Sequence, residues 1–254
     1  MLLVIDIGNT HVVFGIFKNE KWVGEWRIAT HLHKTSDEYG ILFTDLLNSG
    51  KVTPSKIKGA ILSSVVPPLT PIFQEMTEKY FLLKAMVVTH DLKTGLKIRY
   101  DHPKEVGADR IVNAVAAYHF FGGPVIIVDF GTATTFCVVS EKGEYLGGAI
   151  APGLMISADA LFSRAAKLPR VELVKPKSVI GKDTVTSMQS GMIFGYVGLV
   201  NEIVRRIQEE IGREALVVAT GGLSRLIASE CKAISKVRPT LTLEGLMIIF
   251  KMNA

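Results

Sequence analysis

The sequence feature that most constrains the fold is a short acidic, glycine-containing motif that occurs twice, 123 residues apart. Asp6-Ile7-Gly8-Asn9-Thr10 follows an apolar segment near the N-terminus, and Asp129-Phe130-Gly131-Thr132-Ala133 follows a second apolar segment. With the same offset and no gap, Trp22 falls on Tyr145. One such tripeptide alone would be weak evidence, but the agreement extends over three short strands and both turns. It therefore indicates an internal duplication rather than chance.

Each half is predicted to open with a β-meander, which in the first half covers residues 2–7, 11–17 and 21–28. Strands and helices then alternate: a capping box at Thr35 and Glu38 starts the first helix, and a helix over 104–121 ends at Gly122-Gly123-Pro124. This pattern is typical of an α/β fold. We expect two related domains, residues 1–121 and 122–254, with a ligand cleft between them.

Composition narrows the class of protein. The 254 residues are 48% hydrophobic and 21% charged, which is ordinary for a compact protein. Lys and Arg exceed Asp and Glu by 5, which allows affinity for anions, but no basic run suggests a nucleic-acid arm. The two cysteines lie outside any CxxC motif, so we expect reduced core thiols and no zinc site. Without a signal peptide or an apolar stretch of about 18 residues, a cytoplasmic protein with no membrane span is expected.

The repeated Asp-x-Gly motif suits the binding of phosphate. A glycine after a strand lets the backbone turn so that amide groups and the hydroxyl or amide side chains beside them point at one spot. Two such turns can hold a polyphosphate from two sides. A carboxylate beside a phosphate is repulsive unless a cation lies between them, so Asp6 and Asp129 imply a bound metal ion or ordered water, and Mg²⁺ accompanying ATP is the natural candidate. For either aspartate taken alone, an Asx turn remains the alternative.

A third motif, Ala219-Thr220-Gly221-Gly222, follows an apolar strand and precedes a helix. Consecutive glycines at a strand-to-helix turn allow a flat ligand or a phosphate to approach the backbone closely. Taken alone, Gly221 and Gly222 fit a plain tight turn equally well. Their position as the third motif in the chain favours nucleotide binding.

The order of these three motifs is similar to that of the acetate kinase/hexokinase/actin superfamily. That resemblance implies duplicated actin-like (ribonuclease H-like) domains, with mixed sheets flanked by helices and a nucleotide cleft between them. Four blocks, which span nearly the whole chain together with the segment 242–246, resemble the type III pantothenate kinases more narrowly; His102 stands where the family pattern has Asn. The blocks are DIGNT at 6–10, YDHPKEVGADR at 100–110, DFGTATT at 129–135 and GGAIAPG at 147–153.

The resemblance implies an activity and its requirements. Type III pantothenate kinases phosphorylate pantothenate to 4′-phosphopantothenate with ATP, in the first step of coenzyme A biosynthesis. The family also implies a homodimer and a monovalent cation, K⁺ or NH₄⁺. The expected ligands are therefore ATP, pantothenate, Mg²⁺ with ATP and the monovalent cation, with no nucleic acid.

Site residues follow from the resemblance position by position. It implies Asp109 as the catalytic base and Asp129 as the ligand of the monovalent cation. The expected ATP-binding residues, including the two glycines of the third motif, are Asp6, Ile7, Gly8, Asn9, Thr10, His11, Val12, Val13, Thr132, Gly221 and Gly222. The expected pantothenate-binding residues are Tyr100, Gly107, Ala108, Asp109, Arg110 and Thr184.

Residue chemistry alone supports these roles unevenly. Asp109 starts an apolar helix, where a carboxylate faces a loop and can accept a hydroxyl proton, although stabilising the helix dipole is its simpler role. Arg110 can pair with a substrate carboxylate in two-point fashion, or be an ordinary exposed or ion-paired arginine. Thr184 lies in a polar segment ahead of a helix predicted from about Ser190 to Ile211.

Two other functions stay open at this point. One is another small-molecule kinase or phosphatase on the same fold, which the paired Asp-x-Gly motifs do not exclude. The other is a transcriptional accessory binder, because a sequence pI of about 9.1 is compatible with weak binding to nucleic-acid phosphates. No recognition helix or arginine-rich arm accompanies that charge.

Overall fold

The computed structural model describes all residues from Met1 to Ala254, which form two compact units. The first contains Met1–Leu96, Asp101–Ala116 and Thr242–Ala254, and the second contains Lys97–Tyr100 and Ala117–Leu241. This division differs from the predicted one at 121/122. The C-terminal segment belongs to the first unit, and its apolar residues Leu246 and Ile249 are fully buried.

The first unit is built on a five-stranded mixed sheet. Strands β1 (Leu2–Ile7), β2 (His11–Lys18) and β3 (Lys21–Ala29) form the predicted antiparallel meander. Strand β4 (Gly59–Ser64) runs parallel to β1, and β5 (Met86–Val87) runs parallel to β4. The sheet order is therefore β3-β2-β1-β4-β5.

The second unit repeats this sheet and adds one strand. Its order, β6-β9-β8-β7-β10-β11, is the same five-strand arrangement with β6 placed outside β9. Adding 123 to the bounds of β1 and β3 gives the bounds of β7 and β9, so the structure contains the duplication that the sequence predicts. The six strands are β6 (Lys97–Ile98), β7 (Val125–Phe130), β8 (Ala133–Val139), β9 (Glu144–Pro152), β10 (Leu216–Thr220) and β11 (Lys236–Val237).

Seven α-helices flank the sheets. The predicted capping box of the first helix is present: the Glu38 N–H donates to the Thr35 hydroxyl, and the Glu38 carboxylate accepts from the Thr35 N–H at 2.8 Å. The helices are α1 (Ser36–Ser49), α2 (Leu69–Phe81), α3 (Ala108–Phe121), α4 (Leu154–Arg164), α5 (Thr184–Ile211), α6 (Ser224–Ala228) and α7 (Leu241–Asn253). None of them is both long enough and apolar enough to cross a membrane.

Two helices begin elsewhere than predicted. Helix α3 starts at Ala108 because Pro103–Glu105 forms a separate 3₁₀ turn before it. Helix α5 starts at Thr184, six residues before the predicted start, because the Asp183 carboxylate accepts the Thr186 N–H at 2.9 Å and caps the first turn. Thr184 is therefore the first residue of a helix rather than a loop residue.

Each unit has its own apolar core. In the first unit the Phe14 and Phe43 rings stack with centroids 3.8 Å apart between the sheet and α1. In the second unit Ile193, Val200 and Val204 of α5 are buried among β7 and β8 side chains. The apolar stripe of α5 thus packs into the core. Both cysteines are buried and unbridged, as predicted.

Candidate active site

Asp6 is placed by the end of β1 and by its neighbour on β4. The parallel register pairs Asp6 with Ser63, and the Ser63 hydroxyl donates to Asp6 Oδ1 at 2.6 Å. Ser63 is fully buried. A buried hydroxyl with a carboxylate as its acceptor satisfies the polar groups of both residues and fixes the carboxylate orientation.

Asp109 lies in the same unit, in the first turn of α3. Its Oδ1 accepts the Arg110 N–H at 2.7 Å. A Cβ on residue 107 would lie 2.5 Å from that oxygen and 3.7 Å from the Val65 side chain, so Gly107 makes room for the carboxylate and lies beside the residue that follows β4. The start of α3 therefore lies near the carboxyl end of β4.

The two carboxylates interact electrostatically. The pKa of Asp6 is raised to about 7, chiefly by burial and to a smaller extent by the negative charge of Asp109, while the Ser63 hydrogen bond and the Arg27 charge act in the opposite direction. Burial also raises the pKa of Asp109, against its backbone hydrogen bond from Arg110. Adjacent carboxylates that are costly to ionise are typical of functional sites, because such an arrangement contributes nothing to stability.

Two hydrogen bonds made by Gly8 hold the turn between β1 and β2. The Gly8 N–H donates to the His11 carbonyl at 3.0 Å, while the Gly8 carbonyl accepts the Thr30 hydroxyl at 2.6 Å. Among the predicted ATP-binding residues, Asn9, Thr10 and His11 are exposed. Ile7 and Val12 are fully buried, so their side chains are not available to a ligand.

Asp129 occupies the matching position in the second unit. It pairs in parallel register with Thr220 of β10. Gly221 has a φ of +88°, and a Cβ there would lie 2.5 Å from Asp129 Oδ1 and 2.7 Å from the Phe130 carbonyl oxygen. The structure thus brings Gly221 of the third motif against the Asp129 turn. Gly222, the next residue, is exposed.

Thr132 is fixed by a glycine that follows β9. The Gly153 N–H donates to the Thr132 carbonyl at 3.1 Å, and a Cβ on residue 153 would lie 2.1 Å from that oxygen. Only glycine permits this approach. Gly153 therefore shapes the second Asp-x-Gly turn in the way that Gly221 does.

The remaining predicted substrate residues are distributed over both units. Gly107, Ala108 and Arg110 belong to the first unit, where the exposed fraction of Arg110 is 7%. Tyr100 belongs to the second unit. Its ring would lie 3.3 Å from a Cβ added to residue 147, which is a glycine. Thr184 is exposed beside a groove of about 870 Å³ in the second unit, whose lining includes Leu161, Lys182, Met188, Gly195 and Leu199.

Sequence reasoning missed three residues that shape these turns: Ser63, Thr30 and Gly153. Ser63 and Thr30 act through contacts with residues that are 57 and 22 positions away. Only the pairing of β1 with β4 and of β2 with β3 identifies them, and hydrophobic periodicity does not specify strand partners.

The sequence model of the type III pantothenate kinase family matches residues 2–206. The chain belongs to this family. The family assignment agrees with the Asp-x-Gly turns described above and makes the protein a nucleotide-binding kinase. The match covers both motifs and Thr184.

The type III pantothenate kinase chain has the same fold as several solved structures, among them proteins described as kinases. A protein from Campylobacter jejuni described as a Baf family transcriptional activator has a TM-score of 0.62 at 18% identity, covering 98% of this chain and 97% of its own. A protein from Sinorhizobium meliloti described as a 2-dehydro-3-deoxygalactonokinase has a TM-score of 0.58 at 12% identity, covering 99% of this chain and 96% of its own. A polyphosphate/ATP-glucomannokinase from an Arthrobacter strain has a TM-score of 0.51 at 13% identity, covering 98% of both chains. The predicted fold class, mixed sheets flanked by helices, is thereby confirmed.

The raised pKa of Asp6 makes stability depend on pH. Because its pKa is about 7 in the folded chain against an ordinary 3.8, ionisation of Asp6 destabilises the fold progressively from about pH 4 to pH 7. Asp6→Asn keeps an acceptor for Ser63 and removes that cost. We expect the variant to exceed the parent in free energy of unfolding by about 2 to 4 kcal/mol at pH 8 and by much less at pH 4.5, measured by urea denaturation.

A matched control for this experiment is Asp45→Asn, which alters an exposed aspartate on α1 of the same unit. It should give the same small difference at both pH values. An Asp6→Asn gain that does not change between pH 4.5 and pH 8 would contradict the assignment of the cost to Asp6 ionisation.

Proposed function

We propose that this chain transfers the γ-phosphoryl group of ATP to the 4′-hydroxyl of pantothenate, the first step of coenzyme A biosynthesis. The observation that carries the proposal is the electrostatic interaction of the Asp6 and Asp109 carboxylates. Asp6 leads into the exposed Asn9-Thr10 turn, and the chain is a member of the type III pantothenate kinase family. A carboxylate for the proton and a turn for the phosphates are the two elements that a phosphoryl transfer to an alcohol requires.

Asp109 is the proposed proton acceptor. The 4′-oxygen forms a bond to the γ-phosphorus, the bond from that phosphorus to the β–γ bridging oxygen breaks, and ADP leaves with the bond electrons while the hydroxyl proton passes to Asp109. Burial raises the pKa of Asp109, which makes its carboxylate a stronger base. The Arg110 N–H holds one carboxylate oxygen and leaves the other for the proton.

The cation requirements are proposed from the oxygen atoms present. Asp129 Oδ1 and the Phe130 carbonyl oxygen both lie close to Gly221, and oxygen ligands of this kind suit a hard cation such as K⁺. Asp129 would hold K⁺ or NH₄⁺, and Asp6 would hold the Mg²⁺ that arrives with ATP. Such cations neutralise phosphate charge when bound.

Asp109→Asn should lower kcat at least ~10²-fold while the pantothenate Kd changes little, because the amide keeps the shape but accepts no proton. The measurement is ADP release in a coupled assay with saturating ATP. Glu105→Gln, on the exposed 3₁₀ turn just before α3, is the matched control and should keep full activity. An Asp109→Asn enzyme with parental kcat would exclude Asp109 as the base.

The same assay separates the other candidate functions. Acetate and hexoses replace pantothenate in parallel reactions, since the sugar kinases above share the fold, and release of ADP with one of these alone would reassign the substrate. The Campylobacter protein described as a transcriptional activator motivates one more arm, retention of labelled duplex DNA at low salt. No retention is expected.

Replacing K⁺ with Na⁺ or Tris should reduce kcat by ~10-fold or more, because the Asp129 carboxylate then repels the phosphates that it must approach. Asp129→Ala should remove the K⁺ dependence together with most of the activity. Asp159→Ala, at an exposed aspartate of the same unit, should retain both. Full activity in Tris without K⁺ or NH₄⁺ would overturn the cation assignment.

A homodimer is part of the proposal, with a second copy of this chain as the occupant of the groove beside Thr184. Family membership supports it, as does the shape of α5: a Cβ on Gly191, Gly195 or Gly198 would have no atom within 4 Å, and Gly191 and Gly195 line the groove. Small residues allow two helices to approach closely. Each active site would then take Asp109 from one protomer and Thr184 from its partner.

Mixed dimers test this sharing. Asp109→Asn and Thr184→Arg chains, each inactive alone, should regain ~25% of wild-type activity after co-refolding, since random pairing makes half the dimers mixed and each mixed dimer has one intact site. The measurement is ADP release, and tag pull-down confirms that mixed dimers have formed. Confirmed mixed dimers without recovered activity would place both residues in one protomer's site.

A further inference from the structure

We propose that Thr30 is a positioning residue that orients the turn between β1 and β2 for binding the phosphates of ATP. The inference rests on the proposed use of ATP and adds a residue outside the motifs that identified the function. Thr30 follows β3 directly and lies in the first unit with the turn that it contacts.

Thr30 makes two hydrogen bonds to the turn, both to carbonyl oxygens. Its N–H donates to the Thr10 carbonyl at 3.0 Å and its hydroxyl donates to the Gly8 carbonyl at 2.6 Å. The first bond extends the pairing of β2 with β3 beyond His11 and Ala29. The second is a side-chain contact that strand pairing does not provide.

The hydroxyl bond replaces the one that usually closes a tight turn. In a hydrogen-bonded two-residue turn the Gly8 carbonyl would accept the His11 N–H. Here it accepts Thr30 instead, and Asn9 and Thr10 form an open bend. The turn is thus closed by one hydrogen bond across it, from the Gly8 N–H to the His11 carbonyl, and Thr30 supplies the second from outside.

Because the peptide unit is planar, the two hydrogen bonds to carbonyl oxygens also fix the direction of the N–H group in the same peptide unit. In a planar trans peptide the C=O and the following N–H point in opposite directions. With the Gly8 and Thr10 carbonyls directed at Thr30, the N–H groups of Asn9 and His11 are directed away from it. Outward-pointing backbone N–H groups are what an anion-binding turn offers a phosphate.

The hydroxyl is the part of Thr30 that the proposal requires. Serine retains it, so Thr30→Ser should preserve the orientation of the turn. Alanine removes it without adding bulk, and valine removes it and sets a methyl group where the oxygen lay 2.6 Å from the Gly8 carbonyl. The three substitutions therefore separate hydrogen bonding from side-chain volume.

Thr77→Val is a matched control for a purely structural loss. Its hydroxyl donates to the Gln74 carbonyl at 2.8 Å on α2 of the same unit. The variant loses one threonine hydroxyl bond to a backbone carbonyl, as Thr30→Val does, but far along the chain from the turn. It should lower stability without changing nucleotide affinity.

The test measures the Kd of the ATP analogue AMP-PNP with Mg²⁺ by calorimetry, the KM values for ATP and pantothenate, and amide hydrogen exchange over residues 8–11. Thr30→Ala and Thr30→Val should raise the AMP-PNP Kd and the ATP KM by ~10-fold, the loss expected for one hydrogen bond. The pantothenate KM should change less than ~2-fold, and Thr30→Ser should restore ATP binding to within ~3-fold of the parent. Exchange at Gly8, whose N–H is bonded to the His11 carbonyl across the turn, should accelerate in Thr30→Ala but not in Thr77→Val.

An AMP-PNP Kd that is equal in the parent and in Thr30→Ala would overturn the proposal, as would a Thr30→Ser protein as weak as Thr30→Ala. If Thr30→Val does not fold, Thr30→Ala against Thr30→Ser decides the same question. Binding of AMP-PNP without turnover of pantothenate would remove the proposed substrate and leave the Thr30 comparison intact. A parent chain that binds no AMP-PNP would overturn both proposals.

Discussion

The constraint on which the first unit depends is the burial of the Asp6 carboxylate at the end of a central strand. Desolvation raises its pKa to about 7, so the folded chain incurs a free-energy cost at neutral pH. The Ser63 hydroxyl offsets part of that cost from the adjacent strand. Because β1 and β4 are parallel and in register, moving either strand by one residue would separate the two groups.

That constraint explains why the surrounding core is so well packed. The neighbours of Asp6 in β1, Ile5 and Ile7, are fully buried, and the aromatic side chains of α1 and α2 belong to the same core. Apolar burial of this extent supplies the stability that an ionised, buried carboxylate removes. Asp109 adds a second negative charge near Asp6. Two carboxylates placed together do not stabilise a fold, so their arrangement favours a functional role for both.

Much of the fold could be predicted from the sequence because it depends on local pattern. Alternation and turn residues located β1 at residues 2–7, and the 123-residue offset identified the repeated sheet. The capping box at Thr35 was visible for the same reason. The predicted start of α5 was wrong because Asp183 was assigned to a polar loop, whereas its carboxylate caps the first turn of the helix.

The rest depended on partners that are distant in sequence. Nothing local shows that α7 belongs with the first unit, since its apolar residues fit a core in either half. Ser63 and Thr30 look like ordinary polar residues until their strands are paired with β1 and β2. Of the candidate site, motif and resemblance therefore predict the residues proposed to contact a ligand, but not the residues that hold them in position.

Duplication places an aspartate at the end of the first strand in each unit, yet the two positions differ in their surroundings. Each aspartate pairs in parallel register with a hydroxyl residue, Asp6 with Ser63 and Asp129 with Thr220. The Ser63 hydroxyl donates to its aspartate, whereas the Thr220 hydroxyl lies 3.5 Å from the Pro239 carbonyl. Beside Asp129, Gly221 leaves room for two oxygens to converge. From one inherited arrangement, the carboxylate of the first unit is fixed by a hydroxyl on the adjacent strand, whereas the carboxylate of the second unit lies against a glycine that no larger residue could replace without displacing it.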